Sequence, residues 1–345
     1  VLYCLYTSGS SGVPKGVLVK HSNIVNYVIK NDKNVLNYAF NNNLTSIVSV
    51  ANITFDIFGT EIFSSILNGL EVFLCNKEEQ INGLKLYQYI CNNNIQILQT
   101  TPSRLQLILS SLNENDKINT LKLILVGGEK LTVSLANEIK KRSDAKLINV
   151  YGPTETTIWS SQYDVDIVNE YDIPIGKPIN NTQIYILNNN KLSGIGIPGE
   201  LCIAGDGVSN GYLNKDNLTE EKFVSNPFGN NILYKTGDLA KWNNDGTIMF
   251  IGRIDEQVKI RGYRIEIGEV TNSILNINGI SETVVLVEKS NNAENYLVAY
   301  YVSENHIDSE SIREELRNKI PQYMIPTFFI PISNIPLNNS GKVDK

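Results

Sequence analysis

The chain lacks several features that would place it in a common class. No apolar run is long enough to cross a bilayer, which argues against a membrane protein. Lys and Arg number 30 against 36 Asp and Glu, and this net charge of −6 argues against a nucleic-acid binder. The four cysteines have no metal-site spacing, so we interpret Cys4, Cys75, Cys91 and Cys202 as free thiols in a reducing compartment. We therefore expect a cytoplasmic protein without nucleic-acid or membrane partners.

The 345 residues are enough for a large core and more than one domain. Strand-like and helix-like segments alternate from about residue 45 to 160, which predicts an α/β layer with a parallel sheet. From residue 173 the chain changes to short strands with Gly and Pro turns, which predicts a β-rich subdomain. Residues 266–345 are typical of a small α+β unit.

Residues 6–16 form a Ser- and Gly-rich loop between two strand candidates. Glycines let the backbone bend around a bulky anion, successive N–H groups make a concave anion site, and a lysine adds a point charge. The loop is not a Walker motif, because no Gly-Lys-Ser/Thr opens a helix. It predicts a polyphosphate site, and the alternative is a mobile surface loop. Its candidate ligand residues are Thr7, Ser8, Gly9, Ser10, Ser11, Gly12 and Lys15.

Several polar residues fall at the carboxyl ends of predicted parallel strands, where ligands bind in such sheets. They are Asp56, Gln99, Gly127 and the turn 151–155. Asp56 stands among apolar residues, and an isolated buried carboxylate is costly. It is therefore either a helix N-cap or the counter-ion of a cationic ligand group. A solvated hairpin remains an alternative to a functional role for residues 254–265. A disordered end remains the alternative for the tail from residue 335.

Seven motifs in order resemble the adenylate-forming enzymes, and most closely the amino-acid-activating adenylation domains of non-ribosomal peptide synthetases. They cover essentially the whole chain. The motifs are the loop 6–16, Phe55-Asp56, Asn149 to Thr157, Gly199-Glu200-Leu201, Tyr234 to Asp238, Gly252 to Glu269, and Asn339 to Asp344. Ser11 stands where the family usually has Thr. The family also has a further N-terminal portion before the loop, so we expect a truncated large domain.

The resemblance implies an ATP-dependent ligase that forms an aminoacyl-adenylate and passes it to a phosphopantetheine thiol. It implies that residues 6–16 hold phosphates, Tyr151 stacks on adenine, Asp238 binds the ribose, and Arg253 reaches the ribose and phosphate side. Gly128, Gly152 and Thr154 complete the nucleotide site, and Glu155 holds Mg²⁺. The implied catalytic residues are Lys342, Lys15 and Thr154.

The family's pocket-lining positions also carry over to this chain. Asp56 would pair the substrate ammonium, while no further charge lines the pocket apart from Lys342. Trp159 and Gln99 are large enough to fill the side-chain space, which resembles glycine-type pockets, with another small neutral amino acid as the alternative. The implied set is Asp56, Ile57, Thr60, Gln99, Leu125, Gly127, Val150, Ile158, Trp159 and Lys342.

The resemblance further implies a large domain at 1–254, a small mobile lid domain at 255–345, and a hinge at Asp255. The expected partners are a downstream carrier domain and an upstream condensation-type domain of the same polypeptide. Two alternatives stay open. An acyl- or aryl-CoA ligase would leave Asp56 unpaired, and a non-catalytic nucleotide-binding scaffold would have no need of the charged set.

Overall fold

The computed structural model describes residues 1–8, 14–113, 116–166, 172–255, 257–260, 262–289, 295–303 and 307–336. The chain divides into two compact units, residues 1–6 with 16–254, and residues 7–15 with 255–345. The domain boundary at 254 and 255 and the hinge at Asp255 stay predictions. Within the described ranges, no helix is both long and apolar enough to span a bilayer.

The strands are, in chain order, β1 (Tyr3–Thr7), β2 (Lys15–Val19), β3 (Ser46–Ser49), β4 (Glu71–Leu74), β5 (Ile97–Thr100), β6 (Leu123–Gly127), β7 (Lys146–Tyr151), β8 (Ser161–Asp164), β9 (Lys177–Pro178), β10 (Thr182–Asn188), β11 (Lys191–Leu192), β12 (Gly199–Gly205), β13 (Phe223–Ser225), β14 (Ile232–Trp242), β15 (Ile248–Arg253), β16 (Val258–Ile260), β17 (Tyr263–Ile265), β18 (Ile280–Lys289), β19 (Asn295–Ser303) and β20 (Phe328–Pro331). The α-helices are α1 (His21–Val28), α2 (Asn37–Asn41), α3 (Lys77–Ile81), α4 (Gly83–Asn92), α5 (Pro102–Ser110), α6 (Val133–Arg142), α7 (Asp216–Lys222), α8 (Ile267–Leu275) and α9 (Ser309–Arg317). Three further turns are helical but not α, namely the π-helix Thr60–Ser64 and the 3-10 turns Thr154–Thr156 and Gln322–Met324.

The largest sheet of the first unit has the strand order β4-β3-β5-β6-β7-β8-β9. β4, β3, β5, β6 and β7 pair in parallel, and β8 and β9 add antiparallel pairings at one edge. Alternate residues of these strands face opposite sides. Ile124 and Val126 lie in a core with α4, α5 and α6, whereas Leu123 and Leu125 lie in a second core with α1. Burial on both faces explains the continuous apolar runs of these strands.

Helix α5 shows how local sequence sets the position of an element. Thr101 is the N-cap, and its hydroxyl accepts a hydrogen bond from the Arg104 N–H at 3.3 Å. Pro102 takes the first helical position, where a missing N–H has no cost. The helix therefore starts three residues before Leu105, which lies in the core beside Ile108.

The β-rich part of the first unit is a second sheet with the order β11-β10-β12-β14-β13, in which β15 also pairs with β14. Its pairings are antiparallel, and a register shift lies between Glu200 and Cys202 where β12 meets β14. The inward residues Ile184, Leu201 and Ile248 form a core with Tyr151 of the first sheet. This packing joins the end of β7 to the second sheet.

The second unit has its own core. β18 and β19 are antiparallel, β20 adds a parallel pairing to β19, and β16 and β17 form a separate hairpin. Val270 and Ile274 of α8 and Ile312 and Leu316 of α9 are buried against this sheet. The expected fold class is confirmed: layered α/β sheets, a β-rich subdomain and an α+β C-terminal unit.

Candidate active site

Asp238 of β14 accepts from two neighbouring donors. Arg253 Nη1 lies 2.7 Å from Asp238 Oδ1, and the Tyr151 hydroxyl donates to Asp238 Oδ2. Burial, and after it the Asp238 charge, raises the pKa of Tyr151 well above its usual value, so this phenol stays protonated. The structure thus brings together the three side chains that were assigned to the adenosine.

The turn that carries Asp238 is held by its own hydrogen bonds. The Thr236 hydroxyl donates to the Leu201 carbonyl at 2.6 Å and accepts from the Asp238 N–H at 2.9 Å. Gly237 has a φ of +73°, which favours glycine, and its N–H donates to Glu200 Oε1 at 3.1 Å. These contacts fix the backbone on both sides of the carboxylate.

A tight turn follows β7 and returns the chain as β8. An added Cβ at Gly152 would overlap the Ile158 carbonyl, so the close return of the chain requires glycine there. Thr157 and Ile158 have φ values of +64° and +72°, which are strained for β-branched residues. The Thr157 hydroxyl donates to the Gly207 carbonyl at 2.6 Å and helps to hold this conformation. Such strain is typical of functional turns.

Glu155 is fully buried in this turn. The Tyr212 hydroxyl donates to Glu155 Oε1 at 2.9 Å, and the Glu155 carbonyl accepts from the Ser209 N–H. Within the part of the chain that the structure describes, no group of three or more His, Cys, Asp or Glu residues is arranged to hold a metal. Mg²⁺ at nucleotide sites usually takes one or two carboxylates and completes its shell with phosphates and water, so a single oriented glutamate fits this ion.

Gln99 of β5 connects two walls of the candidate substrate pocket. Its Nε2 donates to the Ile57 carbonyl at 2.7 Å, and its Oε1 accepts from the Trp159 indole N–H at 2.9 Å. Gln99 and Trp159 are 1% and 2% exposed. The amide is used inside the protein, and it fixes the position of the indole.

The indole of Trp159 occupies the space where a side chain at position 127 would lie, and this position is a glycine. A Cβ there would come within 2.8 Å of Trp159 Cη2 and 2.5 Å of the Val150 carbonyl oxygen. Gly127 pairs with Val150 in the parallel register, and Leu125 lies two residues earlier on the same face of β6. Gly128 has a φ of +86°, which again favours glycine.

Asp56 is half-buried in the segment that leads to the π-helix. Helical backbone begins at Phe58, two residues after Asp56, and continues into the π-helix from Thr60. Thr60 begins the π-helix and lies 2.7 Å from the Tyr27 hydroxyl, oxygen to oxygen. A Cβ at Gly59 would come within 2.8 Å of Ile158 Cδ1, which places this turn beside the Ile158–Trp159 wall.

Sequence reasoning missed Tyr27, Tyr212 and Thr236, which hydrogen-bond to the assigned residues Thr60, Glu155 and Asp238, and it also missed the buried Glu61. Glu61 is fully buried in the π-helix, and its Oε2 accepts from Ser49 Oγ at 2.7 Å and from the Ala51 N–H at 3.1 Å. A charged residue inside an apolar run was the available signal for Glu61. Nothing in the local pattern marks the two tyrosines.

The remaining assigned residues fall partly outside the described residues. The assigned residues that lie outside the described ranges are Gly9, Ser10, Ser11, Gly12 and Lys342. Thr7 ends β1, and Lys15 begins β2. Ser8 and Lys15 are each 5% exposed.

The chain matches the AMP-binding enzyme family over residues 1–213. It belongs to this family. It is 40% identical to gramicidin S synthase 2 of Brevibacillus brevis over 347 residues, which is 99% of this chain and 8% of that protein. It is 41% identical to tyrocidine synthase 3 of Brevibacillus parabrevis, over 99% of this chain and 5% of that protein. The chain therefore spans a small part of the relatives that it matches.

Two solved structures carry the same fold. A non-ribosomal peptide synthetase protein with adenylation and PCP domains, bound to a vinylsulfonamide inhibitor, matches with a TM-score of 0.88 and 26% identity, over 99% of this chain and 58% of that one. A four-domain non-ribosomal peptide synthetase bound to AMP and glycine matches with 0.65 and 34%, over 99% of this chain and 25% of that one. The predicted resemblance to the adenylation domains of these synthetases is confirmed, and with it the adenylate-forming ligase class.

Proposed function

We propose that this adenylation domain activates an amino acid with ATP and transfers it to a carrier domain. In the first step a substrate carboxylate oxygen attacks the α-phosphorus, the bond to the β-phosphate oxygen breaks, and pyrophosphate leaves. In the second, a phosphopantetheine thiolate attacks the acyl carbon, a thioester forms, and AMP leaves. The family membership supports ATP use.

Asp238 is the proposed ribose ligand, because a carboxylate has about four acceptor sites and the described contacts from Arg253 and Tyr151 use two of them. The other two suit a pair of ribose hydroxyls. We assign the ring of Tyr151 to adenine, Arg253 to the ribose and phosphate side, and Gly128 and Gly152 to close approach of the base. Residues 7–12 with Lys15 are assigned to the β- and γ-phosphates.

Carboxylate and triphosphate repel each other, so the reaction needs cations around the α-phosphate. We assign Glu155 as the protein ligand of Mg²⁺. The bound ion would neutralise negative charge around the α-phosphate. Thr154, beside it in the 3-10 turn, is assigned to a phosphate oxygen by its hydroxyl. Lys15 and Lys342 are the proposed cationic side chains. Asp255 is the proposed hinge of the 255–345 lid between the half-reactions, and carrier and condensation-type domains are the proposed partners.

We propose glycine as the substrate. Asp56 is assigned to the α-ammonium group, which favours an amino acid over an acyl or aryl acid. The observation that supports glycine is the closed wall formed by Gln99, Trp159 and Gly127. The Trp159 indole N–H donates to Gln99 Oε1 at 2.9 Å, and the indole occupies the space beside Gly127. A large side chain would need that space. The bound glycine of the 34% identical synthetase points the same way.

The test is ATP–pyrophosphate exchange by the full-length protein with each of the twenty amino acids and a panel of acyl and aryl acids. Exchange with glycine alone supports the whole proposal. Exchange with alanine or a larger amino acid would support the proposed reaction but show that glycine is not the substrate. Exchange with acyl or aryl acids instead would indicate a CoA ligase, and no exchange by folded protein would indicate a scaffold. Loss of glycine exchange in Asp56→Ala, but not in the exposed Asp245→Ala, would test the ammonium assignment.

A further inference from the structure

The phenol of Tyr212 is hydrogen-bonded to the side chain of Glu155, which lies far away in the sequence. Tyr212 Oη donates to Glu155 Oε1 at 2.9 Å. Tyr212 is 3% exposed, and Glu155 is completely buried. A rotation of the carboxylate away from Tyr212 would break this hydrogen bond where bulk water cannot replace it, and a buried polar group that loses its partner is costly. The contact therefore restricts the orientation of the Glu155 carboxylate.

The backbone around Tyr212 is joined to two other elements. The Ser209 N–H donates to the Glu155 carbonyl at 2.9 Å, so this segment holds the main chain of Glu155 as well as its side chain. Residues 210–213 lie beside β2, where Tyr212 and Val17 form an antiparallel bridge. Main-chain hydrogen bonds of 2.8–3.0 Å join the two segments there. Residues 209–213 thus connect the turn of Glu155 to strand β2.

The ring of Tyr212 is also held in place. It packs edge to face with Phe223, with ring centroids 5.3 Å apart and an angle of 76° between the ring planes. The Tyr212 N–H donates to Thr219 Oγ1 at 3.0 Å. A Cβ at Gly211 would come within 2.3 Å of Thr219 Cγ2, so the chain before Tyr212 packs directly against α7. The phenol therefore donates to Glu155 from a fixed position.

A metal ligand depends on contacts of this kind. Carboxylates that bind metal ions are usually hydrogen-bonded by a neighbouring group, and removing that group typically weakens metal binding about 10- to 100-fold. Mg²⁺ is sensitive to such a loss because it requires nearly ideal octahedral geometry at short metal–oxygen distances. Glu155 is the proposed protein ligand of Mg²⁺, and the hydrogen bond from Tyr212 to its Oε1 is a contact of this kind.

We propose that Tyr212 is a positioning residue of the nucleotide site: by donating to Oε1, it sets the orientation in which Glu155 binds Mg²⁺. This inference rests on the proposed function through the assignment of Glu155. In this role Tyr212 acts through the carboxylate and needs no contact with the ion or the nucleotide. It should therefore affect the part of ATP binding that depends on the metal and leave the metal-independent part unchanged.

The test measures the dissociation constant of ATP for the full-length protein, once in excess Mg²⁺ and once in EDTA. The ratio of the two constants gives the gain in affinity that the metal provides. Tyr212→Phe removes the hydroxyl and keeps the ring, so this gain should fall about tenfold while the constant in EDTA stays at the wild-type value. Mn²⁺ binding to the complex of protein and ATP, followed by electron paramagnetic resonance, should weaken by the same factor. Both constants come from one preparation, so a lower fraction of folded protein does not change their ratio.

Two further variants separate this effect from a general loss of structure. Glu155→Gln removes the ligand charge, so the gain from the metal should be lost, and adding Tyr212→Phe should lower it no further. Tyr301→Phe removes the hydroxyl of a buried tyrosine that donates to the Ile307 carbonyl at 2.8 Å, and both constants should stay at their wild-type values. An unchanged gain in Tyr212→Phe, or an equal weakening of ATP binding with and without Mg²⁺, would overturn the inference.

The exchange assay on the wild-type enzyme reports on the proposed function separately. If the wild type activates no amino acid but Tyr212→Phe loses the gain from the metal, the proposed function is wrong and the role of Tyr212 stands. If Glu155→Gln keeps the full gain, or if the wild type binds ATP equally with and without Mg²⁺, the role of Tyr212 is overturned. Amino-acid exchange by the wild type would still support the proposed reaction in that case.

Discussion

The indole N–H of Trp159 donates to Gln99 Oε1 at 2.9 Å, and the same amide donates to the Ile57 carbonyl at 2.7 Å. One buried side chain therefore determines where the indole stands. Gln99→Leu has nearly the same size but leaves the indole N–H without its partner, while the Ile57 carbonyl keeps its hydrogen bond from the Thr60 N–H at 3.1 Å. A buried group left unpaired costs about 1–3 kcal/mol, so we expect the free energy of unfolding to fall by about that amount.

Chemical denaturation measures this loss, and exchange assays on the folded fraction measure the effect on the pocket. We expect kcat/KM for glycine to fall as well, because an indole without this hydrogen bond no longer has a fixed position in the pocket wall. Gln162→Leu is the matched control, because Gln162 Nε2 bonds the Lys33 carbonyl at 3.2 Å at an exposed position. A Gln99→Leu protein as stable as this control would contradict the bridging role.

Gly127 tests whether the pocket has spare room. Gly127→Ala places a Cβ within 2.5 Å of the Val150 carbonyl oxygen and 2.8 Å of the indole, so the strand or the ring must shift. We expect a stability loss of about 1–3 kcal/mol, as for other overpacked sites, and a larger relative loss of glycine activation. Gly194→Ala meets its first neighbour at 3.8 Å and should leave both unchanged. Equal thermal melting of the two variants would rule out a closed wall at Gly127.

The parallel sheet was predictable because its strands are buried on both faces. Ile124 and Val126 enter one core while Leu123 and Leu125 enter the other, so the whole segment is apolar and easily recognised. The convergence of Gln99, Gly127 and Tyr151 follows from the parallel order, which puts their strand ends at one edge.

The supporting residues could not be predicted from local sequence. Tyr27 and Thr60 are 33 positions apart, and Glu155 and Tyr212 are 57 apart. Such pairs depend on how separate elements pack against each other. The periodicity of apolar residues within one element carries no information about that packing. The π-helical form of Thr60–Ser64 is not predictable locally either, since an apolar run with helical spacing indicates an α-helix.

Asp238→Asn tests the nucleotide side. The amide replaces one carboxylate oxygen with an NH₂ group, which then faces a donor from either Arg253 or Tyr151. We expect the KM for ATP in exchange to rise at least about tenfold, as for loss of one charge-assisted hydrogen bond. Asp245→Asn changes an exposed carboxylate that accepts from the Thr247 hydroxyl, and its KM should stay at the wild-type value. Matching KM values for the two variants would remove Asp238 from the ribose site.

Glu61 makes the stability of the fold depend on pH. Burial raises its pKa to about 7, against lowering by hydrogen bonds from Ser49 and the Ala51 N–H and by the Arg104 charge. Between its usual value of 4.5 and about 7, the folded protein binds this proton and the unfolded chain does not. This contribution to stability is therefore full below pH 4.5 and is lost as the pH rises to about 7.

Glu61→Gln keeps the shape but cannot ionise, so it should not show this loss. We expect the free energy of unfolding of the wild type, taken relative to Glu61→Gln, to fall on the order of 3 kcal/mol between pH 4.5 and 7. Glu78→Gln is the control, because Glu78 pairs with Lys85 at an exposed position and should follow the wild type. Urea titrations at several pH values give these differences directly. A constant difference between wild type and Glu61→Gln would mean that Glu61 ionises equally in the folded and unfolded states, and the buried carboxylate would then need a compensating charge within its surroundings.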